Sequence, residues 1–240
     1  MNKRNKIFLF IALLIFAISI FLFGPNNLIE YYHALRGRKT VEMVLNNIGS
    51  RVDLKYSELF IEKGASYPPS QLMLIAYKQN RRLELWTKSK GRYIHIQSFD
   101  ILGVSGQLGP KLIEGDRQIP EGIYKVIGLN PNSHYHLSLK LDYPNQFDKA
   151  KALIDGRTEL GGNIFIHGDT ASIGCLAMGD EVAEDLFVLT ARAGKENVNI
   201  VISPNDKVTL VENLNYPSWT AELYRNIRNT LNETGIKSSF

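Results

Sequence analysis

The stretch from Leu72 to Ser98, LMLIAYKQNRRLELWTKSKGRYIHIQS, holds three apolar-rich runs, 72–77, 83–87 and 93–98, parted by Asn80-Arg81-Arg82 and Lys90-Gly91. Leu83, Leu85 and Thr87 alternate with Glu84, Trp86 and Lys88, and Tyr93 to Gln97 keeps the same period. Successive side chains on a strand point to opposite faces, so a period of two marks a sheet with one wetter face. The separators fit the turns of a meander. A β-rich domain therefore begins near Gln71.

Downstream, loops are expected at 103–109, before Pro110, and at 114–116, before Pro120-Glu121-Gly122, and strands at 123–127, 135–141, 163–167 and 198–203. Asp180 is placed to cap a helix whose Val182, Leu186, Leu189 and Ala193 share a face and which Gly194 ends. Ser218 precedes a second helix, with Trp219, Leu223, Ile227 and Leu231 four apart. Upstream, Pro68-Pro69 marks a boundary, and Leu28, Tyr31, Tyr32 and Leu35, then Val41, Val44, Leu45 and Ile48, form amphipathic patches of a stem. Ahead of the stem, Lys3, Arg4 and Lys6 precede an apolar run, 7–23, without an acid. As a helix that run is about 25 Å long at ~1.5 Å per residue, the lower edge of what crosses a bilayer. No small-x-small cleavage site follows it, so an uncleaved anchor is expected, with the basic end in the cytoplasm and everything after Pro25 outside the cytoplasmic membrane. The expected divisions are an anchor at 1–24, a stem at 25–70, a main domain at 71–213 and a terminal helix at 214–240.

The 240 residues carry 28 Lys+Arg and 24 Asp+Glu, for a net charge of +4. Without the three basic residues before the apolar run the net charge is +1. No basic stripe marks a nucleic-acid partner. An apolar content of 44% excludes a disordered chain. The single cysteine excludes an intramolecular disulfide and any multi-thiolate metal site, and the histidines show no metal-ligand spacing. No metal and no cofactor are expected.

The cysteine lies in Ile164-Phe-Ile-His167-Gly168-Asp-Thr-Ala-Ser172-Ile-Gly174-Cys175. A strand ending at His167 fixes the imidazole on rigid structure. Gly168 and Gly174 let the loop fold back, so that residues eight apart can meet. A thiol near its ordinary pKa is only a few per cent ionised at neutral pH, and an adjacent imidazole can take its proton to make an acyl-transfer nucleophile. Gly174 also permits the amides of Gly174 and Cys175 to point at one spot, as an oxyanion hole requires. The bland reading is a small buried hydrophobe at 175.

His-Gly followed by Ser-x-Gly-Cys resembles the signature of the L,D-transpeptidase (YkuD-type) catalytic domain, the cysteine enzymes of peptidoglycan. The resemblance runs from Leu72 to about Glu212, through Gly109-Pro110-Lys111, Glu114-Gly115-Asp116, Pro120 to Tyr124, Leu129 to Ser133, His136-Leu137-Ser138 and Tyr143-Pro144-Asn145, and is greatest to the YafK-like branch. It implies a mainly β, barrel- or sandwich-like catalytic domain with peripheral helices, Cys175 as nucleophile, His167 as general base and acid, and Ser172 and Gly174 in the loop shaping the oxyanion pocket. The implied partner is a peptidoglycan stem peptide. The thiolate attacks the carbonyl at the L-centre of its diamino acid and a thioester forms. Water then gives cleavage, as in release of a peptidoglycan-linked lipoprotein at its lysine, while an amine gives a cross-link or attachment. An inactive wall-binding module is the rival from another class. The wider family has arginine two residues after the cysteine where this chain has Ala177, so carboxylate recognition must come from elsewhere, with Arg157 and Lys111 as candidates and His136 as a peripheral one. The short gap between His167 and Cys175 favours hydrolysis.

Overall fold

The computed structural model of the chain describes Asn5, Phe8, 37–209 and 216–236. The expected anchor, apart from Asn5 and Phe8, and the stem residues Leu28, Tyr31, Tyr32 and Leu35 lie outside the described residues. Among the described residues no helix is long and apolar enough to cross a membrane. Two compact units are present, Met1–Val44 and Leu45–Phe240. In the first, Thr40 starts the short helix Val41–Val44, its Oγ1 accepting from the Met43 amide at 3.1 Å.

The second unit is a mixed α/β fold. A π-helical turn, Leu45–Gly49, leads into α1 (Ser50–Glu62). The hairpin meander follows as β1 (Leu72–Tyr77), β2 (Arg82–Ser89) and β3 (Arg92–Asp100). Then come β4 (Gly122–Ser133), β5 (His136–Leu141), α2 (Gln146–Ile154), β6 (Phe165–His167), β7 (Leu176–Ala177), α3 (Asp180–Ala193), β8 (Val198–Ser203) and α4 (Thr220–Glu233). The strands form one sheet in the order β3-β2-β1-β8-β4-β5-β6-β7. This corrects the barrel- or sandwich-like expectation, because the sheet is open. Among the described residues its far ends meet through one antiparallel bridge, between Gly103, just after β3, and Ala177 on β7. Four helices, and not strands of a second sheet, supply the remaining cover.

Strand β1 pairs antiparallel with β2 and parallel with β8, and all six of its residues are buried. A strand covered on both faces reads as a continuous apolar run, which is why LMLIAY lacks the alternation of its neighbours. Met73, Ile75 and Tyr77 pack with Trp219, Leu223, Ile227 and Leu231 of the terminal helix, the docking face the four-residue spacing foretells. The helix from Asp180 also forms, yet its cap differs: Gly179 takes the cap position, and the Asp180 carboxylate instead accepts from the Asp169 amide at 2.8 Å. Helix α1 lies on α3 through charge, with Lys55 to Asp185 at 2.7 Å, Arg192 to Asp53 at 2.6 Å and Arg51 against Glu184.

The long connection from β3 to β4 is tied down from within. Buried Lys78 pairs with buried Glu121 at 2.9 Å and donates to the carbonyls of Gly109 and Ile119. Glu121 also accepts from the Gly109 amide and the Tyr224 hydroxyl, both at 2.7 Å. Gln118 spans the same connection, bonding the backbone of Gln107 and Gly109. A buried ion pair is tolerated when its remaining donors and acceptors are satisfied, and here they anchor a loop that reaches the cysteine.

Candidate active site

Register across β4, β5, β6 and β7 places the candidate side chains. Ser138 pairs with Asn130 on one side and His167 on the other, and His167 pairs with Ala177. The adjacent row runs from Gly128 through Lys140 to Phe165. Ile166 pairs with Leu176, so extending the ladder by one residue sets Cys175 opposite Phe165. Residues two apart on a strand share a face, so Phe165, His167 and Cys175 all project to one side. That side is a cleft of about 450 Å³ lined by Asn130, Tyr135, Ser138, Asn163, Phe165, His167 and Cys175, among others.

His167 is 2% exposed, and its Nδ1 lies 2.5 Å from the Gly168 carbonyl, which can only accept. Nδ1 therefore carries the proton and Nε2 is left with a lone pair. The ring of Tyr135 stacks on the imidazole at 4.7 Å between centroids. Burial holds the imidazole below its ordinary value of 6.5, against the opposing pull of the Gly168 carbonyl and the Asp169 charge. Asp169 does not orient the ring. Its carboxylate accepts from the Thr170 amide at 2.5 Å, the local turn bond expected of aspartate.

Cys175 is partly exposed, and its thiol donates to the Asn163 carbonyl at 3.8 Å. Burial pushes the thiol above its ordinary value of 9.0, while the Phe165 backbone and the Lys111 charge pull it down. The two shifts both favour neutral forms.

Gly174 adopts φ +100°, a conformation that glycine reaches without strain. The turn is held by two hydroxyls. The Gly174 amide donates to Ser105 Oγ at 2.6 Å, and the Cys175 amide donates to Ser172 Oγ at 3.2 Å. Ser172 in turn donates to the Cys175 carbonyl at 2.6 Å, and the two serine oxygens are 3.2 Å apart. The two amides expected to share an oxyanion spot are thus each engaged by a serine. Ser105 escaped the sequence reading because it comes from the β3–β4 connection, 69 residues away from Gly174. That connection approaches closely at Gly103, where a Cβ would sit 2.2 Å from the Thr170 carbonyl. Tyr135 and Asn163 were likewise unsignalled, since one acts by stacking and the other through its backbone.

The remaining candidates lie off the cleft. Arg157 bonds Asp155 at 2.8 Å and the Leu112 carbonyl, and its guanidinium sits over Trp219. Lys111 is buried against Asp116 and donates to the Ile113 carbonyl at 2.8 Å, although its charge reaches Cys175. His136 turns to Glu184 on α3 at 2.8 Å. Ala177 is fully buried beneath the Gly103 bridge. None of these lines the cleft, and no Asp, Glu, Lys or Arg does so among the described residues.

Residues 69–209 match the L,D-transpeptidase catalytic domain, YkuD. The chain belongs to the L,D-transpeptidase family. The family is one of peptidoglycan enzymes, and the match encloses every cleft residue named above. YafK of Escherichia coli, in strain K12 and in O157:H7, is 34% identical over 140 residues, 56% of this chain and 54% of the relative. The chain thus spans about half the length of the curated relatives it matches. Among solved structures, the helical cell shape determining protein Pgp2 of Campylobacter jejuni is similar at 21% identity and TM-score 0.46, over 64% of this chain and 55% of that one. L,D-transpeptidase 1 of Mycobacterium tuberculosis is similar at 12% identity and TM-score 0.31, over 55% and 61%.

Proposed function

We propose that this L,D-transpeptidase family member acts on peptidoglycan stem peptides by cysteine acyl transfer, and that water is its usual acceptor, so that it releases a lipoprotein held to the wall through its lysine. The reading rests on one observation above all: Cys175 and His167 open onto one cleft, with the imidazole's Nε2 left unprotonated by the Nδ1 bond to Gly168. The step requires the thiol to leave the Asn163 carbonyl and turn towards that nitrogen. As Sγ bonds to the carbonyl carbon of the diamino acid, the thiol proton passes to His167 Nε2, which then gives it to the departing amine. A thioester remains. Water attacks it, His167 takes the water proton, and the acid and the free thiol are regenerated.

The short His167–Cys175 loop leaves little to hold a second strand beside the thioester, which supports water over an amine. In this reading the apolar run at 7–23 anchors the chain in the cytoplasmic membrane with the catalytic unit outside it. Incubating the full chain in detergent with isolated sacculi and separating the products tests the proposal. Liberated lysine-bearing protein is the expected result. New stem dimers would move the assignment to cross-linking, and an unchanged wall with no acyl-enzyme by intact-mass measurement would overturn it.

A further inference from the structure

The cleft poses a problem of charge. A peptide stem brings carboxylates to a site whose lining has no cation, and both Arg157 and Lys111 are already paired. The register supplies another group. Lys140 stands opposite Phe165, its Nζ 6.0 Å from the centre of that ring, and Phe165 is the cleft residue across from Cys175. Lys140 is therefore two strand spacings from the nucleophile, about 10 Å between backbones, with a side chain able to cover much of that gap. On its other flank is Gly128, which has no side chain to compete for the ammonium group. Lys140 makes no ion pair with any described residue, whereas Lys78, Lys111 and Lys151 all do.

Lys140 also lines a groove of about 700 Å³ that adjoins the cleft at Asn163, a residue common to both. The groove carries Lys149 and the acids Glu114, Asp142 and Glu159, so both signs of charge are available along it. A cation over an aromatic face keeps its charge while losing part of its hydration, which suits it to an oxyanion ligand.

We propose that Lys140 is the carboxylate-binding residue of this site, holding a free carboxylate of the peptide beside the scissile carbonyl, with the groove acids facing an ammonium group on the same amino-acid centre. The proposal rests on the acyl-transfer reading for its substrate, but Lys140 can be tested without it.

In the full chain, alkylation of Cys175 by iodoacetate is compared with alkylation by iodoacetamide, reagents that differ in a carboxylate. The iodoacetate-to-iodoacetamide rate ratio is expected to fall about threefold or more in Lys140→Ala and further in Lys140→Glu, and to be kept in Lys140→Arg. An unchanged ratio in all three variants overturns the proposal whether or not any peptide is turned over. With a stem peptide joined through the carbonyl of its diamino acid to lysine, and the counterpart amidated at the diamino acid's free carboxylate, Lys140→Ala is expected to raise KM for the free acid about tenfold, leave kcat within about twofold, and lose the preference for the acid. Equal acid-to-amide KM ratios in the wild-type chain and Lys140→Ala overturn it. A wild-type chain that turns over neither peptide counts against the acyl-transfer reading, and the alkylation ratio still decides Lys140.

Discussion

The two halves of the sheet are built on different principles. On the β3-β2-β1-β8 side, strands of six to nine residues pair in long ladders and bury aliphatic side chains, with β1 covered on both faces. On the β4-β5-β6-β7 side the last two strands have three and two residues, and β4 is irregular against β5. There side chains hold the backbone, Ser105 and Ser172 at the cysteine turn and Asp180 at the Asp169 turn. Both halves bury apolar area, Leu139, Leu141, Ile166 and Leu176 doing so in the second. The second half adds satisfied polar groups, which can set a thiol and an imidazole to a defined geometry but contribute little net free energy each. Substitutions in the two halves should therefore separate activity from folding.

The sharpest break is at the cleft. Cys175→Ala or His167→Ala is expected to lower turnover of sacculi a thousandfold or more, through loss of the nucleophile or its base, while the unfolding midpoint of Cys175→Ala stays near that of the native chain. A measured rate within about tenfold of the native one would remove both from the mechanism. The converse substitution, Leu74→Ala at a fully buried position of β1, is expected to cost about 2–5 kcal/mol in denaturant unfolding and to leave kcat per folded molecule unchanged. Between these lies Ser105→Ala, which strips the buried Gly174 amide of its acceptor. Such a loss costs about 1–3 kcal/mol. Confined to the turn, it should appear as roughly a tenfold fall in kcat with KM kept, and Ser105→Thr, which retains the hydroxyl, should restore it.

The smallest effect concerns pH. Burial depresses the His167 imidazole below 6.5, so the neutral base is present above that range and is lost as pH falls through the lowered value. The thiol is raised above 9.0, so it stays protonated across neutral pH. Iodoacetamide alkylation of Cys175 should thus be slow from pH 6 to 8 and rise only in the alkaline range. A fast plateau at pH 6 would instead reveal a preformed thiolate and imidazolium pair.

Much of this was legible locally. The strands at 83–98 and the helix face Trp219–Leu223–Ile227–Leu231 follow from periodicity, because a strand or helix that buries one side must repeat its apolar residues at that element's own spacing, and the run at 72–77 shows as unbroken apolar sequence. The two-residue strand β7 and the helix at Gln146–Ile154 were not, the first being too short to show a period and the second opening with a capping box at Asn145 and Asp148 inside what reads as a loop. The open sheet was also hidden. Alternation records that a strand has two unlike faces, and says nothing of whether the last strand returns to the first.

Taken by itself, the sequence determined the family, through the spacing of His167, Ser172, Gly174 and Cys175, and the apolar faces that must be buried. Which groups surround the sulfur follows from the three-dimensional packing. Ser105 arrives from a distant loop, Tyr135 stacks on the imidazole from the β4–β5 turn, and Lys140 stands beside Phe165 through strand pairing. Electrostatic environment and proton affinity depend on distance in space, and strand pairing brings together residues that chain order keeps far apart.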